Sequence, residues 1–140
     1  MRFLILTILI VLTPATHSGM FNTAQMGTRC PGGRLAGNCW IWAPQGVSCT
    51  SACTTLGGTY SSATLTYTGS AGSLANCSAV LALLSVPDVT ATDDSTTGQS
   101  WSSCGCTYGV STSSSWRNTG AATTGACLNA NDRRICACSF

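Results

Sequence analysis

The chain has 140 residues, of which ten are Cys, and only 7% are charged, with a formal net charge of +2 at pH 7. Average soluble domains contain about 25% charged residues, whereas 21 Thr and 18 Ser supply most of the polarity here. Lys and Glu are absent and there is a single His, so the side chains that most enzymes use for proton transfer are scarce. This composition argues against an enzyme and indicates one domain with a nearly neutral, hydroxyl-rich surface.

The first residues are typical of an export signal. Met1 and Arg2 give a short positive start, and residues 3–12 form an apolar run that is too short for a bilayer span of about 20 residues. Small residues at Thr13 and Ala15, or at Thr16 and Ser18, fit a cleavage site, so we predict a secretion signal over residues 1–18. The alternative is a leader that stays attached, either as a buried apolar segment or as a membrane anchor.

The mature chain is expected to be secreted, and to be extracellular or on the cell surface, without membrane contact once the signal is removed. Without Arg2 it carries five Arg against four Asp, which is a net charge of +1. Its one basic cluster is Arg133-Arg134, so binding to nucleic acid through the phosphates is not expected.

All ten Cys lie beyond this leader, and their number is even. Because an exported chain matures where thiols oxidise, we predict five disulfides rather than a metal site. The chain has no Cys-x-x-Cys pair, and its one His, His17, lies at the leader boundary, so neither a metal nor another cofactor is expected. The predicted disulfide residues are Cys30, Cys39, Cys49, Cys53, Cys77, Cys104, Cys106, Cys127, Cys136 and Cys138.

Two of the Cys spacings predict part of the pairing. Cys49 and Cys53 lie one helical turn apart, about 6 Å, and Cys136 and Cys138 lie about 6.7 Å apart on one face of a strand. A helix across a strand can therefore be joined to it twice, which favours pairing Cys49 and Cys53 with Cys136 and Cys138 in either order. The CGC segment at 104–106 has the same strand spacing and is the alternative partner. The arrangement resembles the cysteine-stabilised helix-strand motif of small defence peptides and toxins.

A longer series of motifs resembles a recurrent cysteine-rich extracellular domain of predicted secreted proteins in bacteria and protists. The motifs are CW at 39–40, GxSCxxxC at 46–53, GGTY at 57–60, GSAGS at 69–73 followed by Cys77, and RRxCAC at 133–138. The resemblance covers residues 39–140, the predicted cysteine-rich domain. No activity is assigned to that family, so the resemblance implies an extracellular location without a particular function.

The predicted elements begin with a Gly-rich N-terminal arm over residues 19–38, because a proline and several glycines interrupt any regular element there. The segment 39–42 that follows has strand composition. In a strand, Trp40 and Trp42 lie on one face and Ile41 lies on the other.

Two short helices are predicted, over about residues 49–56 and 74–85. Ser48 is a natural N-cap for the first helix, and Gly57-Gly58 ends it. The second helix follows a cap at Ser73 and carries one apolar stripe. The stripe is expected to face the core and consists of Leu74, Cys77, Val80, Leu81 and Leu84.

The rest of the chain is predicted to form a small antiparallel sheet and long loops. Residues 60–68 are predicted to be extended, and 104–110 and 134–140 are the other strand candidates. Residues 88–103 and 111–125 are rich in Ser, Thr, Gly and Asp without periodicity, which predicts loops. The fold class is therefore a small disulfide-rich α+β domain, in which disulfides compensate for a thin apolar core.

Catalytic residues are not expected. Once His17 has left with the leader, no Ser, Thr or Cys has an imidazole base, and Lys is absent as a substitute. The Asp residues at 93 and 94 lie in a segment without the spacing or closing Glu of a calcium loop, so a solvated turn is predicted. A carboxylate pair has only four candidates, which are Asp88, Asp93, Asp94 and Asp132.

The four Trp are the best candidates for recognition, because an indole combines an apolar face with a polar N–H. Trp40 and Trp42, beside Cys39, are expected in the core. Trp101 and Trp116 lie in predicted polar loops, and Arg117 adds a hydrogen-bonding group beside Trp116. These three residues are the predicted binding site, for a glycan or a protein.

One N-glycosylation sequon occurs, Asn76-Cys77-Ser78, and it matters only in a eukaryotic-type secretory pathway. Its acceptor, Asn76, lies on the predicted second helix, which disfavours its use.

The leading hypothesis is a non-catalytic extracellular structural protein, a subunit or decorating domain of a surface assembly or filament. Near-zero net charge favours self-association, and self-association is the expected partner interaction. The alternative is a carbohydrate-binding module that uses the loop tryptophans, with a glycan as partner. A defence-type disulfide-rich protein is the weaker alternative, because such peptides are usually shorter and more basic.

Overall fold

A computed structural model of the protein describes residues 30–86 and 91–140. The secretion signal predicted over 1–18, His17 and Asp88 lie outside these residues. The described part is a small disulfide-rich α+β domain, as predicted. Its strands are β1 (Gly33–Leu35), β2 (Asn38–Ala43), β3 (Thr59–Tyr60), β4 (Thr92–Asp94), β5 (Cys106–Gly109), β6 (Ser114–Asn118) and β7 (Asp132–Ser139). Its helices are α1 (Cys49–Thr55), α2 (Ala63–Thr66) and α3 (Leu74–Leu83).

The strands form one sheet around β7, the longest strand. The order is β1-β2-β7-β5-β6-β4, and β3 pairs with the end of β7 on the edge opposite β2. All pairs are antiparallel except β4 with β6, which is parallel, so the sheet is mixed rather than purely antiparallel. No helix in the described residues is long and apolar enough to cross a membrane.

Alternate residues of β7 enter two separate cores. Cys136 and Cys138 face α1 together with Ile41 of β2, whereas Ile135 and Ala137 face the other side of the sheet. Trp40 is completely buried on that other side, where the apolar stripe of α3 packs against it. The predicted strand over 39–42, with its two faces, is confirmed, and so is the core orientation of the α3 stripe.

All ten Cys are paired. Cys49 bonds Cys136 and Cys53 bonds Cys138, with Cα atoms 5.3 and 5.5 Å apart, so α1 is joined twice to β7 as the spacings predict. The CGC segment at 104–106 does not bond α1, because Cys104 pairs with Cys127 and Cys106 pairs with Cys77. The remaining bonds are Cys30–Cys39, Cys77–Cys106 and Cys104–Cys127.

The predicted helix caps are confirmed. Ser48 Oγ accepts a hydrogen bond from Ser51 N at 3.1 Å, and Ser73 Oγ accepts one from Asn76 N at 3.1 Å. The helices end at Thr55 and Leu83, slightly before the predicted ends, as is usual for frayed last turns.

The prediction of an extended segment over 60–68 is wrong, because β3 ends at Tyr60 and α2 follows. Ser61 Oγ accepts a hydrogen bond from Ala63 N, which starts a turn, and Ser61 N donates to Ala137 O. The turn places Thr64 over β7, where its buried Oγ1 accepts a hydrogen bond from Ala137 N at 2.9 Å. These tertiary hydrogen bonds outweigh the strand propensity of the Thr-rich segment.

The two predicted long loops contain strands. β4 lies in the first and β6 lies in the second, and they pair with Asp93 beside Arg117. The guanidinium of Arg117 donates to both carboxylate oxygens of Asp93, at 2.7 and 2.8 Å. The sequence does not predict β4 and β6, because these strands pair through polar contacts such as this one and carry no alternating apolar residues.

The end of the predicted N-terminal arm belongs to the sheet. β1 pairs with β2, and Cys30 is bonded to Cys39. A tight turn makes this hairpin, with positive φ at Ala36 and Gly37. Residues 19–29 of the predicted arm lie outside the described part of the chain.

Candidate functional site: a cleft between two tryptophans

A cavity of about 310 Å³ opens on the sheet face that carries α1. The helix packs on β2 and β7, whereas the cavity lies over β4, β5 and β6. Paired strand residues share a face, and Trp116 pairs with Thr107 while Asn118 pairs with Asp94. We call this cavity the tryptophan cleft. Its described lining residues are Asp94, Trp101, Thr107, Trp116, Asn118 and Asp132.

Trp116 reaches the cleft because β6 alternates its side chains between the two faces of the sheet. Its half-buried indole lies over Gly109 of the neighbouring strand. A Cβ atom at Gly109 would lie 2.7 Å from Trp116 Cζ3, so only glycine leaves room for the ring in this position. The position of this indole on the sheet therefore depends on Gly109.

Trp101 reaches the same cleft from a turn rather than from a strand. Trp101 O accepts a hydrogen bond from Cys104 N at 2.9 Å, and Ser102 Oγ donates to Gln99 O at 2.8 Å. The Cys104–Cys127 disulfide fastens the end of this turn to the segment before β7. Local hydrogen bonds and one disulfide therefore stabilise the turn that carries the second indole.

Asn118 lines the cleft and is only 2% exposed. Its Nδ2 donates to Gly105 O at 2.9 Å, and its backbone N donates to the same oxygen at 2.9 Å. Gly105 adopts a φ of +72°, which glycine reaches without strain and which directs this carbonyl toward β6. The CGC segment therefore orients a cleft amide.

Two carboxylates complete the lining. Asp94 Oδ1 accepts a hydrogen bond from Thr96 N at 2.9 Å. Hydrogen bonds from the Thr96 side chain and backbone, with a smaller contribution from the Trp101 side chain, hold the pKa of Asp94 below its usual value of 3.8. Asp132 accepts a hydrogen bond from Asn129 Nδ2 at 2.7 Å. Asp94 is therefore an ionised acceptor at neutral pH and not a general acid.

No family model, no curated protein and no solved structure matches the chain. The resemblance to a recurrent secreted cysteine-rich domain therefore stays a prediction. What the cleft binds has to be argued from its own geometry and chemistry.

The three predicted binding residues separate into two groups. Trp101 and Trp116 meet in the cleft, but Arg117 points to the opposite sheet face. There it pairs with Asp93 and donates to the carbonyls of Gly69 and Gly72, at 3.3 and 3.1 Å. The structure therefore separates Arg117 from the predicted site, because adjacent side chains of a strand point to opposite sheet faces.

Sequence reasoning named Asp94 and Asp132 only as candidates for a carboxylate pair. It assigned none of the polar lining of the cleft, which consists of Asp94, Thr107, Asn118 and Asp132, to the binding site. Asn118 has a detectable signal, since it lies two residues from Trp116 and shares its face if the segment is a strand. Asp94 and Asp132 come from distant segments, and only the strand pairing brings them to the cleft. Within the described chain, no group of three or more His, Cys, Asp or Glu residues is arranged to hold a metal ion.

The other predicted residues lie away from the cleft. Trp42 is half-buried, and its Nε1 donates to Leu84 O at 3.3 Å. The guanidinium of Arg133 lies over the Trp42 ring at 5.1 Å. Asn76 lies in the first turn of α3, and the next residue, Cys77, is buried in a disulfide.

Proposed function

We propose that this protein is a non-catalytic extracellular domain that binds carbohydrate in the tryptophan cleft. The observation that carries the proposal is the meeting of Trp101 and Trp116, from a turn and a distant strand, in one cavity that polar side chains also line. Aromatic walls with a few converging polar groups are the usual composition of a small-ligand site.

The chemistry of the cleft suits a sugar ring. The C–H face of a pyranose packs on an indole, which buries apolar area without requiring a charged ligand. The hydroxyl groups at the ring edge are donors, and carboxylate and amide oxygens accept from them. Asp94, Asn118 and Asp132 supply such oxygens on the sheet face beside Trp116.

An extracellular location is part of the proposal. Five disulfides in a small domain are typical of proteins that mature in an oxidising compartment. Glycans are abundant ligands outside the cell, so the location and the cleft support the same function. The predicted export signal agrees with both.

The hypothesis of a subunit or decorating domain of a surface assembly stays a prediction, as does the defence-type alternative. A glycan-binding domain also fits a decorating role, so the first hypothesis and the proposal are compatible. Regular filaments of the non-reduced protein in electron micrographs would support the assembly hypothesis.

Removal of the two indoles tests the proposal. We expect Trp101→Ala and Trp116→Ala each to weaken sugar binding about 10- to 30-fold, because a central aromatic contact contributes about 1.4 to 2 kcal/mol. The double variant should show no binding. The measurement is calorimetry of the non-reduced protein with hexaoses of cellulose, xylan, mannan, chitin and chitosan.

Trp42→Leu is the matched control, since it removes a half-exposed indole outside the cleft. We expect it to bind like the wild type. Binding by the double variant with wild-type affinity, or no binding of any of these sugars at millimolar concentration, would refute the proposal.

Gly109→Ala tests whether the position of the Trp116 indole matters for binding, without removing the indole. The added methyl group would collide with Thr112 Oγ1 and lie 2.7 Å from Trp116 Cζ3, so the Thr112 side chain and the indole must both shift. We expect sugar binding to weaken about tenfold, equivalent to about 1.4 kcal/mol, in a protein that still folds. Unchanged affinity would show that the position of this ring does not matter.

A further inference from the structure

We infer that the tryptophan cleft selects sugars that carry a protonated amine, such as β-1,4-linked glucosamine, over neutral and acidic sugars. The inference rests on the proposed carbohydrate function and names its ligand class. It is carried by the placement of two carboxylates and two indoles around one cavity.

The charge of the lining has one sign. Two of the six described lining residues, Asp94 and Asp132, are acidic, and the other four are uncharged. An acidic sugar would bring a third negative charge into this cavity, which costs free energy. A neutral sugar gains the aromatic contacts but leaves both carboxylates without a cation.

The nearby cations are engaged elsewhere. Arg117 is paired with Asp93 on the opposite sheet face. Arg134 shares the face of the cleft, but its guanidinium is buried and donates to the carbonyls of Cys127 and Thr124 at 2.7 and 3.0 Å. Neither guanidinium is among the lining residues, so a ligand cation has room to approach the carboxylates.

The indoles add to the selectivity. An ammonium group within about 6 Å of an indole centroid is attracted by the negative face of the ring, most strongly where water is excluded. Trp101 and Asp94 line the same cavity. An amine in the cleft therefore lies in a cavity that both indoles and both carboxylates line.

Paired sugars test the inference. Glucosamine hexaose and N-acetylglucosamine hexaose share the same rings, but only the first carries amines. At about pH 5, where sugar amines are protonated and Asp94 is still ionised, we expect the glucosamine hexaose to bind at least about tenfold more tightly. The preference should disappear at about pH 9, where the amines are neutral.

Asp94→Asn removes the charge but keeps an oxygen for Thr96 N. We expect the ratio of the two affinities to fall in this variant, because Asp132 is then the one carboxylate left among the described lining residues. Asp93→Asn is the matched control, because it makes the same change one residue away on the other sheet face. It should keep the preference.

The possible outcomes separate the inference from the proposed function. Equal or tighter binding of the N-acetylated sugar, or an undiminished preference in Asp94→Asn, overturns the inference and leaves sugar binding intact. Pentalysine that binds as tightly as glucosamine hexaose also overturns it, because charge alone would then account for binding. If neither sugar binds, the inference and the proposed function are both wrong.

Discussion

Replacing Cys49, Cys53, Cys136 and Cys138 with Ala should leave the protein unfolded. The two disulfides close loops across sequence separations of 87 and 85 residues. In the chain-entropy model, the first closure contributes about 4.6 kcal/mol, and the second, which closes a ring of about eight residues, adds about 2.5 kcal/mol. A loss of about 7 kcal/mol is comparable to the whole stability of a small domain.

The same reasoning predicts that the two disulfides are not additive. Either pair removed alone should cost only about 2.5 kcal/mol, because the remaining bond still closes the long loop. The measurement is urea unfolding of the non-reduced variants, followed by tryptophan fluorescence. The Cys30 and Cys39 pair, with a sequence separation of nine, is the control for a short loop and should also cost about 2.5 kcal/mol. A loss above about 4 kcal/mol from each single removal would contradict this picture.

Arg134→Met should lower the free energy of unfolding by about 3 kcal/mol. The residue is only 1% exposed, and its guanidinium donates to Cys127 O and Thr124 O. Hydrogen bonds from a charged group contribute about 1.5 to 3 kcal/mol each, and both carbonyls would lose their donor. The Met variant no longer pays the desolvation cost of a buried charge, which offsets part of this loss. We therefore expect a smaller loss than the sum of the two hydrogen-bond contributions.

Arg134 remains charged at neutral pH. Burial disfavours its charged form and lowers its pKa to about 10. The cost of this burial is therefore fully present below about pH 10 and is relieved only as the pH rises from there toward the higher, ordinary pKa of an arginine. At physiological pH the charged guanidinium donates hydrogen bonds to two carbonyls of the segment before β7.

Arg133→Met is the matched control, since Arg133 is exposed and lies over Trp42 on the other face. We expect it to cost less than about 1 kcal/mol. Chemical denaturation of both non-reduced variants gives the comparison. An Arg134→Met protein as stable as the wild type would show that the two carbonyls do not need the guanidinium.

The parts of the fold that depend on local chemistry could be predicted from the sequence. The spacing of Cys49 and Cys53 matches that of Cys136 and Cys138 because a helical turn and two strand residues have nearly the same length. The caps at Ser48 and Ser73 likewise act within three residues of themselves. The ten cysteines and these local signals were enough for the fold class.

The cleft could be predicted only in part. Trp101 and Trp116 stand out because large aromatic rings are unusual in polar segments. β4 and β6 do not stand out, because their pairing depends on an ion pair and on backbone hydrogen bonds. Unless β4 and β6 are recognised as strands, the sequence does not show that Asp94 and Asn118 share a sheet face. It also does not show that Arg117 and Trp116 point to opposite faces.

The most direct test is to observe the four indole N–H signals of the non-reduced, ¹⁵N-labelled protein by NMR during titration with glucosamine hexaose and N-acetylglucosamine hexaose. Trp40 and Trp42 lie outside the cleft and serve as internal references. Sugar binding in the cleft predicts that the Trp101 and Trp116 signals shift together while the other two stay in place. Signals that do not move with either sugar, or a shift confined to Trp42, would contradict it.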